Sequence, residues 1–376
     1  MLGVIITLAA VAAIAYFVIK NYYPPIILLI IGLILLLIAG LTGTPPVGAK
    51  TSTHFFGFDL AQAFTDLMKS RLPGLGLNIM AIAGFSFYMN KIGASKALVK
   101  LCIKPLAAIR SPYLLLAVTY IVGQLMALFI NSAVGLGLLL MASIYPLLVS
   151  LGVRRAAAAA VIASTCCLDL GPGSSNAMRA ADLINTDVVT YFVQGQIPVA
   201  ICVMIAVAAG HFLVQRWFDR REAAKGIDDT PAGDTSDKTK DAFEGAGPVH
   251  YAILPILPLF LLIVFSPMVY SAVKLSLVTA IIVSVLIAFV VDLITRRSFK
   301  TSCKDSQSIF EGMGKVFTST VSLICCAELF ALGLTKLGGI STLIQLAASQ
   351  EGSGLFLMLF IMLAIMIIAT VVTGSG

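Results

Sequence analysis

The sequence predicts an all-α polytopic membrane protein built from two inverted repeats, each with a re-entrant hairpin and a discontinuous helix. Composition is the first reason: 59% of the 376 residues are hydrophobic and only 11% are charged. The mean hydropathy of +1.01 exceeds what a soluble core needs. A series of long apolar runs is the second reason, and similar segments on the two sides of a polar linker are the third.

The apolar runs are long enough to cross about 30 Å of hydrocarbon as helices. They begin near Leu2, Pro25, Leu75, Tyr113, Ala156, Ile197, Ala252, Ala272, Val316 and Leu355. Lipid offers no water to unpaired backbone groups, so helices are the expected spanning elements. The first run lacks a basic lead-in and a small-residue cleavage site, so we interpret it as a retained helix rather than a signal peptide.

A segment rich in Asp, Lys, Gly and Thr, from Arg220 to His250, has the composition of a solvated linker. It predicts three regions: a first inverted repeat at 1–217, a cytoplasmic linker at 218–249 and an incomplete second repeat at 250–376.

Two pairs of segments support the duplication. The stretch "NKIGASKALVKL" (Asn90 to Leu101) resembles "TKLGGISTLIQL" (Thr335 to Leu346). The apolar run Tyr113 to Gly135 aligns in the same order with Gly354 to Gly376. Order and nearly constant offset favour a repeat, although each match alone is weak.

Basic residues predict the orientation, because cytoplasmic loops are enriched in Lys and Arg. If the linker and the loop from Arg296 to Lys304 lie in the cytoplasm, 19 of the 25 basic residues fall on the cytoplasmic side. The helix that begins near Leu75 then runs inward and its partner near Val316 runs outward. The two halves are therefore predicted to be inverted.

The segment 94–110 is predicted to form an interfacial helix on the cytoplasmic surface. Three basic residues share one helical stripe: Lys96, Lys100 and Lys104. Apolar residues occupy the other face: Leu98, Leu101, Cys102 and Leu106.

The segment 112–153 is predicted to be a re-entrant hairpin, because basic residues stand at both its entry and its exit. Two ordinary spans with an outside turn are the alternative; a short return limb with Pro146 favours the hairpin. Irregular backbone at membrane depth survives where protein or a water-filled cavity satisfies it, so the tip is a candidate substrate site. Its candidate residues are Asn131, Ser132, Gly135 and Gly137.

The segment 156–195 is predicted to be a broken helix, because Gly171-Pro172-Gly173 must interrupt an Ala-rich run. Capping residues follow directly and suit the start of a half-helix: Ser174, Ser175 and Asn176. Free N–H groups and the positive end of the helix dipole would favour an anion there, with Gly173 beside it. A plain packed kink is the alternative, and a nucleotide loop would need a preceding strand.

Four charged residues fall inside predicted membrane segments: Asp169, Arg179, Asp182 and Glu328. Partners or water are expected for each, because a charge at the bilayer centre costs roughly 2.5–3.5 kcal/mol. Arg179 has three candidate roles: a structural pair with Asp182, a bond to Asp169 across the break, or contact with substrate. Glu328 is either a buried structural carboxyl or the carrier of a coupling proton.

Other classes of function find no support in the sequence. The net charge of +7 is spread over loops, which argues against nucleic-acid binding. The cysteine and histidine spacings do not resemble a zinc site, so no metal site is expected, and the adjacent cysteine pairs are interpreted as packing residues. The sequence shows no nucleophile with a base, no paired aspartates and no HExxH, so no catalytic residue is assigned and an intramembrane enzyme is disfavoured.

Several stretches together resemble the anaerobic C4-dicarboxylate carrier family, DcuC type, of bacterial inner membranes. They are "INSAVGLGLLLMASIYPLL", "AAAAAVIAS…GPGSSN", "HYAILPILP" and the closing "VVTGSG". The resemblance runs over essentially the whole chain. It implies uptake, exchange or efflux of succinate, fumarate or malate by alternating access, in a lipid bilayer.

By that resemblance each repeat supplies a hairpin tip and a broken helix to one midplane site. Asn131, Ser132 and Gly135, with Ser174, Ser175 and Asn176, match the site of one repeat, and Thr373, Gly374 and Ser375 open that of the other. No cofactor is expected; coupling to protons or sodium stays open, with Asp169, Arg179 and Glu328 as candidates for charge coupling. A homodimer is carried as a candidate assembly. The rival functions are a carrier for another small anion or an amino acid, a sodium–proton antiporter, and a channel.

The chain stops at "VVTGSG", which aligns with the first hairpin up to Gly135, where that hairpin turns back. We therefore expect the second repeat to be truncated at the C-terminus by roughly 80 residues, from repeat symmetry. A chain ending there would hold about half of the substrate site and is expected not to transport.

Overall fold

The computed structural model describes residues 2–109, 111–130, 133–224, 245–266, 269–270, 273, 275–338, 359 and 363. Throughout this part of the chain the regular structure is helical and no strand occurs, as the sequence predicts. Before the linker lie α1 Leu2–Ile19, α2 Pro24–Leu41, α3 Phe56–Arg71, α4 Leu77–Lys91, α5 Ala94–Ala107, α6 Pro112–Ala127, α7 Ala133–Ser150, α8 Arg155–Ser164, α9 Ser175–Leu183, α10 Val188–Thr190 and α11 Ile197–Ala224. After it lie α12 Leu257–Val264, α13 Leu277–Arg296, α14 Phe299–Val316 and α15 Ser322–Lys336.

Three wider π turns and one tighter 3₁₀ segment adjoin these helices. The first π turn is Leu72–Gly76, the second is Tyr191–Gln196 and the third is Phe317–Val321; the 3₁₀ segment is Val249–Ile256. Each π turn continues directly into a helix: α4, α11 and α15 respectively.

Five continuous helical runs among the described residues are long and apolar enough to cross a bilayer. They are Pro24–Leu41, Phe56–Lys91, Val188–Phe218, Leu277–Arg296 and Phe299–Lys336. Together with the absence of strands in the described ranges, they identify a helical, multi-pass membrane protein. The predicted run that begins near Leu355 falls mostly outside the described residues.

The chain forms two compact units. One combines Met1–Gly76 with Phe317–Gly376, and the other is Leu77–Val316. Each unit therefore draws on segments from both sides of the polar linker, whose residues 225–244 lie outside the description. The division into repeats at that linker stays a prediction.

In the first unit, α15 packs along α2 through glycines. A methyl group added at Gly333 would come within 2.7 Å of Leu35 Cβ, and one added at Gly32 within 3.0 Å of the backbone nitrogen of Phe330. Such close approach is how membrane helices gain packing energy without a hydrophobic effect between them. Leu36 and Leu329 are fully buried in the same contact region.

In the second unit, α4 packs on α14 in the same manner. A methyl group at Gly84 would lie 2.7 Å from the carbonyl oxygen of Ile309, and one at Gly312 would lie 2.8 Å from Phe87 Cβ. A separate core joins α5, α6, α7, α8 and α11 around residues such as Tyr120 and Leu140.

The predicted interfacial segment is helical as α5, and its buried face packs on the 3₁₀ segment. Leu98 and Leu106 are buried, Cys102 is half-buried and Lys100 is exposed, as the predicted stripe requires, but Lys96 is half-buried. Leu101, expected on the apolar face, is 50% exposed. It follows Lys100 directly, and one residue turns an α-helix by only about 100°, so it stays on the edge of the exposed side.

A buried polar network joins α13, α14 and the 3₁₀ segment. The carboxylate of Asp292 is fully buried and accepts hydrogen bonds from Tyr251 Oη at 2.9 Å and Ser302 Oγ at 2.6 Å. It also lies 2.9 Å from Arg296 Nε, and Arg296 donates through Nη1 to Asp305 at 2.7 Å. A buried charge is stable only when paired and hydrogen-bonded, and this carboxylate meets both conditions.

Candidate functional site

The chain is non-helical at the predicted Gly171-Pro172-Gly173, but the Ala-rich helix already ends at Ser164, seven residues before it. α8 ends at Ser164 and α9 begins at Ser175, so Gly171, Pro172 and Gly173 fall in the non-helical loop 165–174. Gly171 has φ of +98°, a left-handed conformation that favours glycine. A side-chain methyl there would also come within 2.9 Å of Leu128 Cδ2, but this is the mobile end of a side chain, so the backbone conformation is the main constraint.

Ser174, one of the three residues predicted to cap the new helix, is its cap. Its backbone is extended, with φ −78° and ψ 132°, and its hydroxyl accepts a hydrogen bond from the N–H of Ala177 at 3.1 Å. The first N–H groups of a helix have no intrahelical acceptor. The Ser174 hydroxyl already accepts from the N–H group of Ala177. The N–H groups of Ser175 and Asn176 are therefore the ones that could donate to an anion. Ser175 is half-buried and Asn176 is exposed.

Asp169 lies close to this helix start. Its carboxylate accepts a hydrogen bond from Asn176 Nδ2 at 2.7 Å, which joins the two ends of the break. The candidate anion site thus has an acidic neighbour. The negative charge of this carboxylate would oppose the binding of an anion at the start of α9.

Arg179 forms the structural pair that was one of its three candidate roles. Its Nη1 lies 3.0 Å from Asp182 Oδ2, one helical turn away, and both side chains are partly exposed. A pair of this kind contributes little to stability, about 0.3–0.5 kcal/mol in a helix.

The turn after α6 lies beside the break. Leu128 and Phe129 from that turn line a small cavity of about 30 Å³ together with Pro172 and Gly173. The remaining lining side chains are apolar and come from α4, the 3₁₀ segment, α12 and α13: Ile82, Phe85, Pro255, Pro258, Leu259, Leu262, Leu277 and Ile281. This wall is apolar, and a cavity of this size has room for water but not for a dicarboxylate.

Gly135 and Gly137 lie in the first turn and a half of α7, and a methyl group added at Gly137 would meet no atom within 4 Å. The other two tip residues, Asn131 and Ser132, lie outside the described residues, as do Thr373, Gly374 and Ser375. Their predicted roles therefore stay predictions.

Glu328 belongs to a different part of the molecule. In the first unit its Oε2 lies 2.6 Å from Nε of Arg71, the last residue of α3. The glutamate side chain is only 16% exposed and that of Arg71 is 32% exposed, so the pair is partly shielded from solvent. This geometry gives Glu328 the partner that a buried carboxyl needs.

Sequence reasoning missed Gln124 and Gln196, which form hydrogen bonds to the loop at the break. It also missed Arg71, which pairs with Glu328. Gln124 had a detectable signal, because it is a polar residue within the apolar run "YIVGQLMALF". Arg71 was visible only as one more basic residue, since its partner is 257 positions away.

Comparison with known proteins gives a consistent result. The profile of the DcuC family, described as C4-dicarboxylate anaerobic carrier, matches residues 2–376. The chain is 35% identical over 378 residues to a probable anaerobic C4-dicarboxylate transporter DcuC of Vibrio cholerae serotype O1, covering 100% of this chain and 80% of the relative. It is 34% identical over 375 residues to the anaerobic C4-dicarboxylate transporter DcuC of Escherichia coli strain K12, covering 99% of this chain and 78% of the relative.

No solved structure matches the chain significantly. The profile nonetheless spans nearly every residue, and both relatives align over essentially the whole chain. The chain therefore belongs to the anaerobic C4-dicarboxylate carrier family, DcuC type, whose members are membrane transporters and not enzymes.

Proposed function

We propose that this protein carries C4-dicarboxylates such as succinate, fumarate or malate across the bacterial inner membrane by alternating access. The observation that carries the proposal is the family match over residues 2–376, and the capped start of α9 supplies a fitting site. Hydroxyl, amide and backbone N–H groups suit a carrier, because an anion must be bound moderately and then released.

Two inverted repeats are part of the proposal, and local geometry supports them. The third π turn begins 245 residues after the first, Phe317 against Leu72, and both are five residues long. The helices that follow, α4 and α15, both have 15 residues and keep the same offset. A duplicated ancestor explains why so rare an element as a π turn recurs at matching positions.

The two π turns also adjoin each other within the first unit. A methyl group added at Gly76, the end of the first, would lie 3.2 Å from Cγ1 of Val321, the end of the third. Equivalent segments of two repeats are expected to meet near a pseudo-two-fold axis.

A re-entrant hairpin formed by α6 and α7 is the second structural part of the proposal. Its support is the basic residues beyond both ends, Arg110 before it and Arg154 after it, together with Pro146 within α7. The turn between the limbs lines the same cavity as the Gly-Pro-Gly break, as a shared substrate site requires.

We further propose that the N–H groups at Ser175 and Asn176 bind one carboxylate of the substrate. Asp169 is then the strongest of the three candidates for charge coupling, because it lies at this site and bonds Asn176. Arg179 and Glu328 form ion pairs with Asp182 and Arg71. Proline suits the test better than alanine here, because alanine keeps the backbone N–H. Ser175→Pro removes one proposed donor at the first helical position, which proline favours, and it suits the extended backbone of Ser174, so the cap bond to Ala177 is kept.

Counterflow in liposomes tests the function, with the full-length gene product reconstituted and loaded with unlabelled succinate. Transient accumulation of labelled succinate, and not of a labelled amino acid, is the expected result. If only another anion or an amino acid accumulated, the protein would be a carrier of that class. Simple equilibration without overshoot would identify a channel. Repeating the assay with imposed proton or sodium gradients identifies the coupling ion. In Ser175→Pro the KM for succinate should rise; an unchanged KM would show that the start of α9 does not bind substrate.

A further inference from the structure

The loop 165–174 is held from one side by Gln124 of α6. The side-chain amide of Gln124 donates through Nε2 to the carbonyl oxygen of Leu168 at 2.7 Å. Its Oε1 accepts from the N–H of the same residue at 3.4 Å. Gln124 is only 1% exposed, so this contact is sealed from solvent.

Gln196, the last residue of the second π turn, holds the loop from the other side. Its Oε1 accepts from the N–H of Gly171 at 3.1 Å, and its Nε2 donates to the carbonyl oxygen of Asp169 at 3.3 Å. Gln196 is half-buried and stands directly before α11. Both glutamines therefore satisfy one N–H and one C=O of the loop.

The chemistry of glutamine explains why it occurs at both positions. A non-helical loop at membrane depth exposes backbone donors and acceptors that lipid cannot satisfy. A primary amide carries the same donor and acceptor as a peptide group, so it can pair with both. Lysine, arginine or an ionised carboxylate would satisfy only one kind of group and would add a charge beside the anion site.

We propose that Gln124 and Gln196 are positioning residues that clamp the broken-helix loop between α6 and α11, so that the turn after α6 and the start of α9 keep one fixed geometry during transport. Gln124 lies four residues before Leu128, which lines the cavity beside Pro172. Without the clamp, the loop would shift the capped N-terminus of α9 relative to that turn. The proposal rests on the proposed function, in which α9 binds a substrate carboxylate.

The experiment compares the wild-type full-length protein with Gln124→Leu and Gln196→Leu, which keep side-chain bulk and lose both hydrogen bonds. Gln307→Leu is the matched control, since Gln307 is an exposed glutamine of α14 that bonds Glu311 one turn away. If the leucine variants fold poorly, Gln196→Asn is measured instead, because asparagine keeps the amide group on a side chain that is one methylene shorter.

Two readouts are needed. Hydrogen exchange without substrate should be faster at the amides of Leu168 and Gly171 in the clamp variants and unchanged in Gln307→Leu. Counterflow should show the KM for succinate raised about tenfold with the maximal rate nearly kept, because the two lost hydrogen bonds act on substrate only through the position of α9.

Unchanged exchange in the clamp variants would overturn the proposal. If the KM rose with exchange unchanged, the glutamines would touch substrate themselves, which also contradicts a positioning role. Failure of the wild-type protein to transport any C4-dicarboxylate would reject the proposed function, while the exchange measurement would still decide whether the clamp exists.

Discussion

At the scale of single residues, the hydroxyl of Ser174 marks where α9 begins. Because it accepts from the N–H of Ala177, Ser174→Ala should destabilise the folded protein by about 1 kcal/mol. Thermal unfolding of the purified protein measures this loss. Ser175→Ala, one residue further along and within the helix, is the control and should change stability by less than about 0.5 kcal/mol. Equal losses in both variants would contradict the assignment of Ser174 as the cap.

Asp292 is a second residue whose importance can be measured. Asp292→Asn should destabilise the protein by about 3 kcal/mol, because Arg296 would lose its buried partner and the acceptor for two hydroxyls would be weakened. This figure is at the lower end for a broken buried pair, since the Arg296 side chain is 31% exposed.

Denaturation of Asp292→Asn should be compared with that of Asp66→Asn, a less buried aspartate of α3 that accepts from Gln62 at 2.7 Å. Adding Arg296→Gln to Asp292→Asn should restore part of the loss. If the two aspartate variants lost the same free energy of unfolding, the buried position of Asp292 would not contribute to stability.

At the scale of elements, the contact between α2 and α15 depends on glycine. Gly333→Ala should cost about 1–3 kcal/mol, because the new methyl group would stand 2.7 Å from Leu35 Cβ and force the helices apart. Gly210→Ala in α11 is the matched control, since a methyl group there meets no atom within 4 Å. The control should be neutral or gain about 0.5–1 kcal/mol from better helix propensity. Thermal unfolding that ranks the two variants in the opposite order would contradict the packing argument.

At the scale of the whole molecule, the distribution of basic residues, 19 of 25 on the predicted cytoplasmic side, predicts the topology. Single cysteines placed between Asp228 and Glu244 should react with impermeant thiol reagents only from the cytoplasmic side. A cysteine at Gly57 should react only from outside. Labelling of permeabilised and intact cells separates these outcomes, and the reversed pattern would overturn the orientation while leaving the inverted relation of the halves open.

The sequence by itself determined the features that depend on local chemistry. Apolar content required membrane helices, because lipid leaves the backbone no other way to satisfy its polar groups. Gly171, Pro172 and Gly173 required a break, because these residues disfavour a continuous helix. Capping residues were recognisable directly after them, because a cap depends only on the side chains at the start of the helix. The family followed from the order of such motifs along the chain.

The tertiary structure alone decided which side chains meet. Gln124 and Leu168 are 44 positions apart, Tyr251 and Asp292 are 41 apart, and Arg71 and Glu328 are 257 apart. No periodicity in the sequence encodes these pairs, because each depends on how separate helices pack. A lone polar residue in an apolar run shows that a partner is needed, since burying it unpaired is costly. Only packing determines which partner that is.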